Sequence, residues 1–426
     1  MGTMNNAKKQ ISSGAVINLA GILLGAVLNL WLLPKLFSTE ELGMYRWMER
    51  SAVLLSNILL FGVHRSFTKF HSDPSKDKKT FESVVVGRST LLMIIIGILV
   101  FLFGPLLAPY FNFKPKDAHL LRYLSFFIVS GMAFLMAVAA AATTKKITIP
   151  VFLKNMGMRF AMAALAVVLF FNSGLFEFSH WLIAYAWASL ILGIAALFYG
   201  WNRIKPAFRL KHLWAPMGKD VNRFAWISVF SVLIEIGINT LDVQMLSMLT
   251  DMNSVGIYGM AFFMGSVIDG IRRPINQMLA PQISTSWNNN NMGALRKMYQ
   301  KTSSAQMVVN AAYVILVVVN VEWIFSLIPD GERFYPAIPV VVWTLARKYI
   351  NAAFGSNGEI IANSPFYQLN MQIGSIMLVI NVLLQPPASS PPRRGPPRNQ
   401  RGSLAPAAAN PGAPRRNRRR LLQPPT

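Results

Sequence analysis

Long apolar stretches, divided by short segments that collect the charges, repeat along residues 1–384. A helix of about 20 residues spans a hydrocarbon core of about 30 Å. The pattern predicts eleven transmembrane helices, beginning near Ser13, Gly43, Ser83, Leu121, Val151, Trp181, Phe224, Val255, Ala305, Tyr335 and Leu369. The first, 13–33, follows Lys8 and Lys9 as a signal peptide would. It is too long and lacks a small-residue cleavage site before Pro34, so it reads as a retained anchor.

The pattern stops at residue 384. Residues 385–426 hold eleven Pro and nine Arg with no Lys, Asp, Glu or aromatic residue, a composition that cannot bury a core. Because the change follows directly on the apolar run 374–384, it reads as a frame shift or a substituted end. A natural basic, disordered tail is the competing explanation. The expected organisation is a cytoplasmic N-terminus (1–12), an N-terminal helical lobe (13–200), a basic linker (201–222), a C-terminal lobe (223–384) and the tail (385–426).

Charge then orients the chain. With the N-terminus inside, twenty-three Lys and Arg fall in cytoplasmic segments, among them Lys8, Lys78, Lys145, Lys154, Lys205 and Arg296. Six, including Lys35, Lys114, Lys116 and Arg333, fall on the other side, so the positive-inside rule places the N-terminus in the cytoplasm. Much of the net charge of +24 is therefore topology, and the separate short basic loops speak against a nucleic-acid partner.

The motifs exclude several chemistries. No GxxxxGK[ST] loop is present to cradle a nucleotide, and no GxSxG elbow is present to carry a nucleophile. The five histidines are scattered without metal-ligand spacing, and the chain has no cysteine. The sequence thus points to no catalytic residue, metal or cofactor, and transport remains.

A repeat sharpens this reading. LFSTEELGMY (36–45) recurs as LTDMNSVGIY (249–258), a constant 213 residues on, with Leu, Gly and Tyr matching outright. The same interval sets Asn18 over Ser231 and Asn29 over Asp242. Six helices separate the copies, so the halves are expected to be related by an axis along the membrane normal.

With these features, the LGxY pattern at Leu42, Gly43 and Tyr45 and its echo at Val255, Gly256 and Tyr258, the chain resembles bacterial oligosaccharide flippases over residues 7–384. These form the polysaccharide-exporter branch of the multidrug/oligosaccharidyl-lipid/polysaccharide exporter superfamily. The resemblance implies an all-α polytopic membrane protein of 12 to 14 transmembrane helices in two pseudo-symmetric six-helix lobes, the second incomplete here. It also implies movement of undecaprenyl-diphosphate-linked oligosaccharide across the bacterial inner membrane, for surface polysaccharide or lipopolysaccharide assembly.

The residues give a separate reason for a polar cavity. At 100° per residue, Arg46, Arg50 and Asn57 share one stripe of the second helix, and Ser228, Ser231, Glu235, Asn239 and Asp242 one stripe of the seventh. Arg50 lies about 10 Å beyond Gly43 and Glu235 about 18 Å beyond Arg223, the latter near mid-membrane, where a charge must be paired or wet. Asn18, Gly25 and Asn29 share a face of the first helix, and Tyr258, Gly265, Asp269, Arg272 and Asn276 one of the eighth. The planar fork of arginine suits a diphosphate, so Arg50 and Arg88, then Arg46 and Arg272, are the expected anion holders. Asn18, Asn29, Asn57 and Asn239 are expected to meet sugars. Glu235, Asp242 and Asp269 are candidates for proton or sodium coupling. Glu49 reads either as a cavity group or as a structural partner for Arg88, and Arg159 either as a lipid-headgroup contact or as a cavity group.

Two rivals share these features. A cation-coupled multidrug antiporter would use the same acidic residues, although cavity arginines oppose a cationic cargo. An O-antigen polymerase would handle the same lipid-linked sugars, but such enzymes carry a large periplasmic loop that this sequence lacks.

Overall fold

All regular structure among the described residues is helical. The computed structural model describes residues 21, 23–71, 77–144, 146–172, 177–204, 217–362, 364 and 367–383. Numbering only the longer helices, the first half gives α1 (Leu23–Leu36), α2 (Thr39–Leu59), α3 (Lys78–Phe103), α4 (Leu124–Thr143), α5 (Thr148–Phe171) and α6 (Phe178–Ile204). The second half gives α7 (Lys219–Leu249), α8 (Met252–Asn288), α9 (Met292–Val319), α10 (Ile338–Ala353) and α11 (Tyr367–Leu383). Most of the linker 201–222, the tail 385–426 and Asn18 lie outside the described residues.

Local chemistry sets the helix starts. Ser38 caps α2 by accepting from the backbone N–H of Glu41, while the Glu41 carboxylate accepts from the Ser38 N–H at 2.8 Å, a reciprocal capping box. Asp77, Asp251 and Asn291 cap α3, α8 and α9 in the simpler one-way manner. Among the described residues, two helices carry a π-helical turn, Val27–Leu32 in α1 and Leu153–Gly157 in α5.

Among the described residues, five of the helical stretches, those of α3, α4, α5, α6 and α9, are long and apolar enough to cross a membrane. The chain is an all-α polytopic membrane protein. The buried share separates roles: 72% of the most apolar window around α4 is inside the protein, against 22% for α3. Accordingly α4 sits at the centre, where the Ser130 hydroxyl donates to the Ser189 carbonyl of α6 at 2.6 Å. The outer face of α3 presents Ile94, Ile98 and Leu102 to lipid.

Two boundaries differ from the sequence expectation. Helix α8 runs for 37 residues, and α9 starts at Met292 rather than near Ala305, so the polar segment around Arg296 is helix and not loop. Hydropathy marks the membrane, whereas Asn291 as cap and the helix-forming Ala294, Leu295 and Lys297 mark the helix.

The repeated LGxY segments meet. A Cβ on Gly43 would strike the carbonyl of Met252, and one on Gly256 the carbonyl of Thr39, so α2 and α8 cross with their backbones in contact. Residues 39 and 252, like 43 and 256, are 213 apart. The crossing is therefore reciprocal about a local two-fold relation, and Thr39 and Asn253 add a side-chain hydrogen bond beside it.

Candidate functional site

Helix α2 leaves the Gly43 crossing and carries Arg46, Glu49 and Arg50 into a cavity of about 310 Å³. The spacing of three and four residues puts all three on one side of the helix. Arg46 is only 7% exposed, and its Nε and Nη2 are buried without a hydrogen-bond partner among the described residues. It lies against Gly259 of α8, where any side chain would strike the guanidinium arm. Arg50 is held with its guanidinium carbon 4.3 Å from the centre of the Phe262 ring, a cation–π contact.

Helix α5 supplies the opposite wall with Lys154 and Arg159. Five residues apart, these would diverge by about 140° on a regular helix. The π-helical turn Leu153–Gly157 tightens that divergence, because its bonds run from i to i+5. Arg159 lies along Gly21 and Gly25: a Cβ on Gly21 would strike its Nη1, and one on Gly25 would stand in ordinary contact, 3.5 Å from its guanidinium carbon.

Among the described residues, the cavity therefore gathers four cations, Arg46, Arg50, Lys154 and Arg159, around one carboxylate, Glu49. Glu49 interacts electrostatically with both Arg46 and Arg159. The wall toward α6 is aromatic: the Tyr45 and Tyr185 rings meet edge-to-face at 5.9 Å. A second hollow of about 190 Å³ shares Glu49, Lys154, Met158 and Tyr185 and adds Ser56, Asn57, Ser130 and Phe127.

Of the residues singled out from sequence, Arg46, Arg50 and Asn29 line the main cavity and Asn57 lines the second hollow. The amides of Asn29 and Asn57 donate to the carbonyls of Gly25 (2.9 Å) and Val53 (2.8 Å), which leaves their oxygens for other donors. Arg88 of α3 lines neither hollow, and Arg272 donates to the Asn351 carbonyl of α10 at 3.3 Å. Asp242 accepts from the Tyr258 hydroxyl at 2.9 Å, and Asp269 pairs with Lys348 at 2.5 Å. The side chains of Glu235 and Asn239 lie outside what the structure describes.

Lys154 was expected to be a topology charge, and the structure adds it to the cavity. Only the π-helical turn could have revealed it, and apolar periodicity does not report such a turn. Glu49 and Arg159, each open to two readings from sequence, both face the cavity.

A family model described as "Polysaccharide biosynthesis protein" matches residues 7–287. No protein of curated function matches the chain by sequence. Among solved structures, a multidrug resistance MATE family transporter of the MOP superfamily, in an inward-facing conformation, is similar with a TM-score of 0.57 at 12% identity. That similarity covers 87% of each chain. A MATE structure in a straight conformation is similar with a TM-score of 0.52 at 13% identity, over 88% of this chain and 85% of that one. At such identities the likeness shows a shared fold.

Proposed function

The chain belongs to the polysaccharide biosynthesis protein family, and on that premise we propose that it is a flippase for a lipid-diphosphate-linked oligosaccharide. It works in the bacterial inner membrane, with its N-terminus in the cytoplasm, by alternating access between two helical lobes. The cargo is an undecaprenyl-diphosphate-linked glycan destined for surface polysaccharide or lipopolysaccharide, and a proton or sodium gradient drives it.

One observation carries the reading: among the described residues, four cations surround one carboxylate inside a membrane-spanning fold, and one of them, Arg46, is buried with N–H groups that meet no acceptor there. Buried donors of a charged group are costly to leave unmade, so the site favours an anion rich in oxygen acceptors. A diphosphate fits that requirement, since two arginine forks grip its oxygens in pairs. The amide oxygens of Asn29 and Asn57 and the Tyr185 ring then face the sugars, while the isoprenoid stays in lipid. The same charge balance opposes the cationic cargo of a drug antiporter.

The test is export in cells lacking their own flippase. Arg50→Ala and Arg46→Ala should each abolish surface glycan at unchanged protein abundance, with Lys restoring only part because it loses the fork. Full export by the double Ala variant would refute the reading.

A further inference from the structure

The connections α3–α4 and α9–α10 hold equivalent places in the two halves of the chain, because six helices separate them. Each contains a residue in the left-handed region, Asn112 (φ 52°) in the first and Asp330 (φ 50°) in the second. From the first connection, the Asn112 amide crosses to the C-terminal end of α7. There it donates to the carbonyls of Ser247 (2.9 Å), Met248 (3.2 Å) and Thr250 (2.7 Å). From the second, Arg333 donates through Nη2 to the carbonyl of Pro34, in the last turn of α1.

Pro34 and Ser247 are 213 residues apart, the interval that also relates Gly43 to Gly256. The accepting helix ends are thus equivalent, whereas the donors Asn112 and Arg333 are 221 residues apart and differ in type; in each case a side chain from one half reaches the end of the first helix of the other half. The last carbonyls of a helix lack partners within it and carry the negative end of its dipole. A helix commonly satisfies them with its own following residues, often a glycine. Here α7 ends at Thr250, whose N–H and hydroxyl both donate to the Leu246 carbonyl, and the carbonyls of Ser247, Met248 and Thr250 take their donor from the opposite half.

We infer that Asn112 and Arg333 form a paired latch that holds this end of the bundle shut, and that both release when the cavity opens toward it. The Gly43–Gly256 crossing and the Thr39–Asn253 bond lie at the same end. Both donors sit in connections between helices, and water can take over the exposed bonds to the Met248 and Thr250 carbonyls, while the Pro34 and Ser247 acceptors are buried. The net difference between closed and open is then small, as a contact broken in every transport cycle requires. The latch geometry stands by itself, and its role rests on the alternating-access reading above.

The chain has no cysteine, so a single reporter can be placed in the cavity wall by Ser266→Cys. Its modification by a membrane-impermeant maleimide is timed in intact cells and in inside-out vesicles. Asn112→Gly keeps the left-handed backbone but removes the amide, and Arg333→Ala removes the second contact. Each should raise labelling from outside about threefold to tenfold and lower it from inside, and the pair should exceed either alone. Asn112→Asp, of the same size, sets oxygen against the carbonyls and should give a larger rise than Gly. A disulfide between Thr39→Cys and Asn253→Cys should return the Asn112→Gly protein to slow external labelling. Parental labelling in both the double variant and Asn112→Asp, at parental abundance and thermal stability, would overturn the latch, as would rapid labelling in the cross-linked form. No substrate enters the measurement, so loss of diphosphate binding would refute the flippase reading alone.

Discussion

Gly43 of α2 and Gly256 of α8 touch backbone to backbone, and each lies against the residue that begins the other's helical repeat, Met252 and Thr39. The sequence echo LGxY is thus a crossing point, read twice because both strands of the crossing need the same absence of a side chain. Forcing a methyl into such a contact costs about 1–3 kcal/mol. Gly43→Ala and Gly256→Ala should each lower the thermal midpoint of the detergent-solubilised protein. The double variant should lose less than the sum, since one displacement of α2 from α8 relieves both. Fully additive losses would mean that the two glycines do not share a contact.

Arg159 runs past Gly21, where a Cβ would strike its guanidinium, and past Gly25, where a methyl would just touch it and a longer side chain would stand in its path. Gly25→Leu should therefore weaken binding of a diphosphate ligand by roughly tenfold without removing any charge, and Arg159→Ala should weaken it at least as much. The measurement is a binding titration with inorganic diphosphate at two salt concentrations. The salt dependence should shrink in Arg159→Ala, where a cation is gone, and persist in Gly25→Leu.

His71, at the end of the short helix Val63–Phe70, is buried beside Glu82 at 3.5 Å. Burial pushes its imidazole below the ordinary value, with Lys78 adding to the effect. Neutral when folded and readily protonated when unfolded, it contributes stability that is present above about pH 6.5 and is lost as the pH falls toward its lowered value. Thermal unfolding followed from about pH 7 to about pH 5 should show a decline that His71→Gln makes shallower. An identical decline in the variant would place the pH dependence elsewhere.

What could be read from sequence follows from regular geometry. Arg46 and Arg50 sit on unbroken 3.6-residue spacing and line the cavity, and Asn29 reaches it from within the π-helical turn of α1. The interval of 213 led to the Gly43–Gly256 crossing because backbone contact demands glycine in both copies. Lys154 escaped notice because a π-helical turn alters the register that periodicity assumes. Arg272 lies on a different face of α8 from the cavity-lining Gly259, Phe262 and Ser266 and meets the Asn351 carbonyl of α10, and which face of a helix meets the cavity is a tertiary fact. The cross-half contacts of Asn112 and Arg333 were likewise invisible, since a capping partner more than 130 residues away leaves no local pattern.

The central claim is that the cavity holds an anionic diphosphate through Arg46 and Arg50. The most direct measurement is binding to the purified protein of three probes matched in size: farnesyl diphosphate, farnesol and a hydrophobic cation. The account predicts salt-sensitive binding of the diphosphate alone, weakened by tenfold or more in Arg46→Ala and Arg50→Ala, in keeping with about 1.5–3 kcal/mol for a hydrogen bond to a charged group. Equal binding of farnesol, preference for the cation, or diphosphate binding untouched by both substitutions would contradict it.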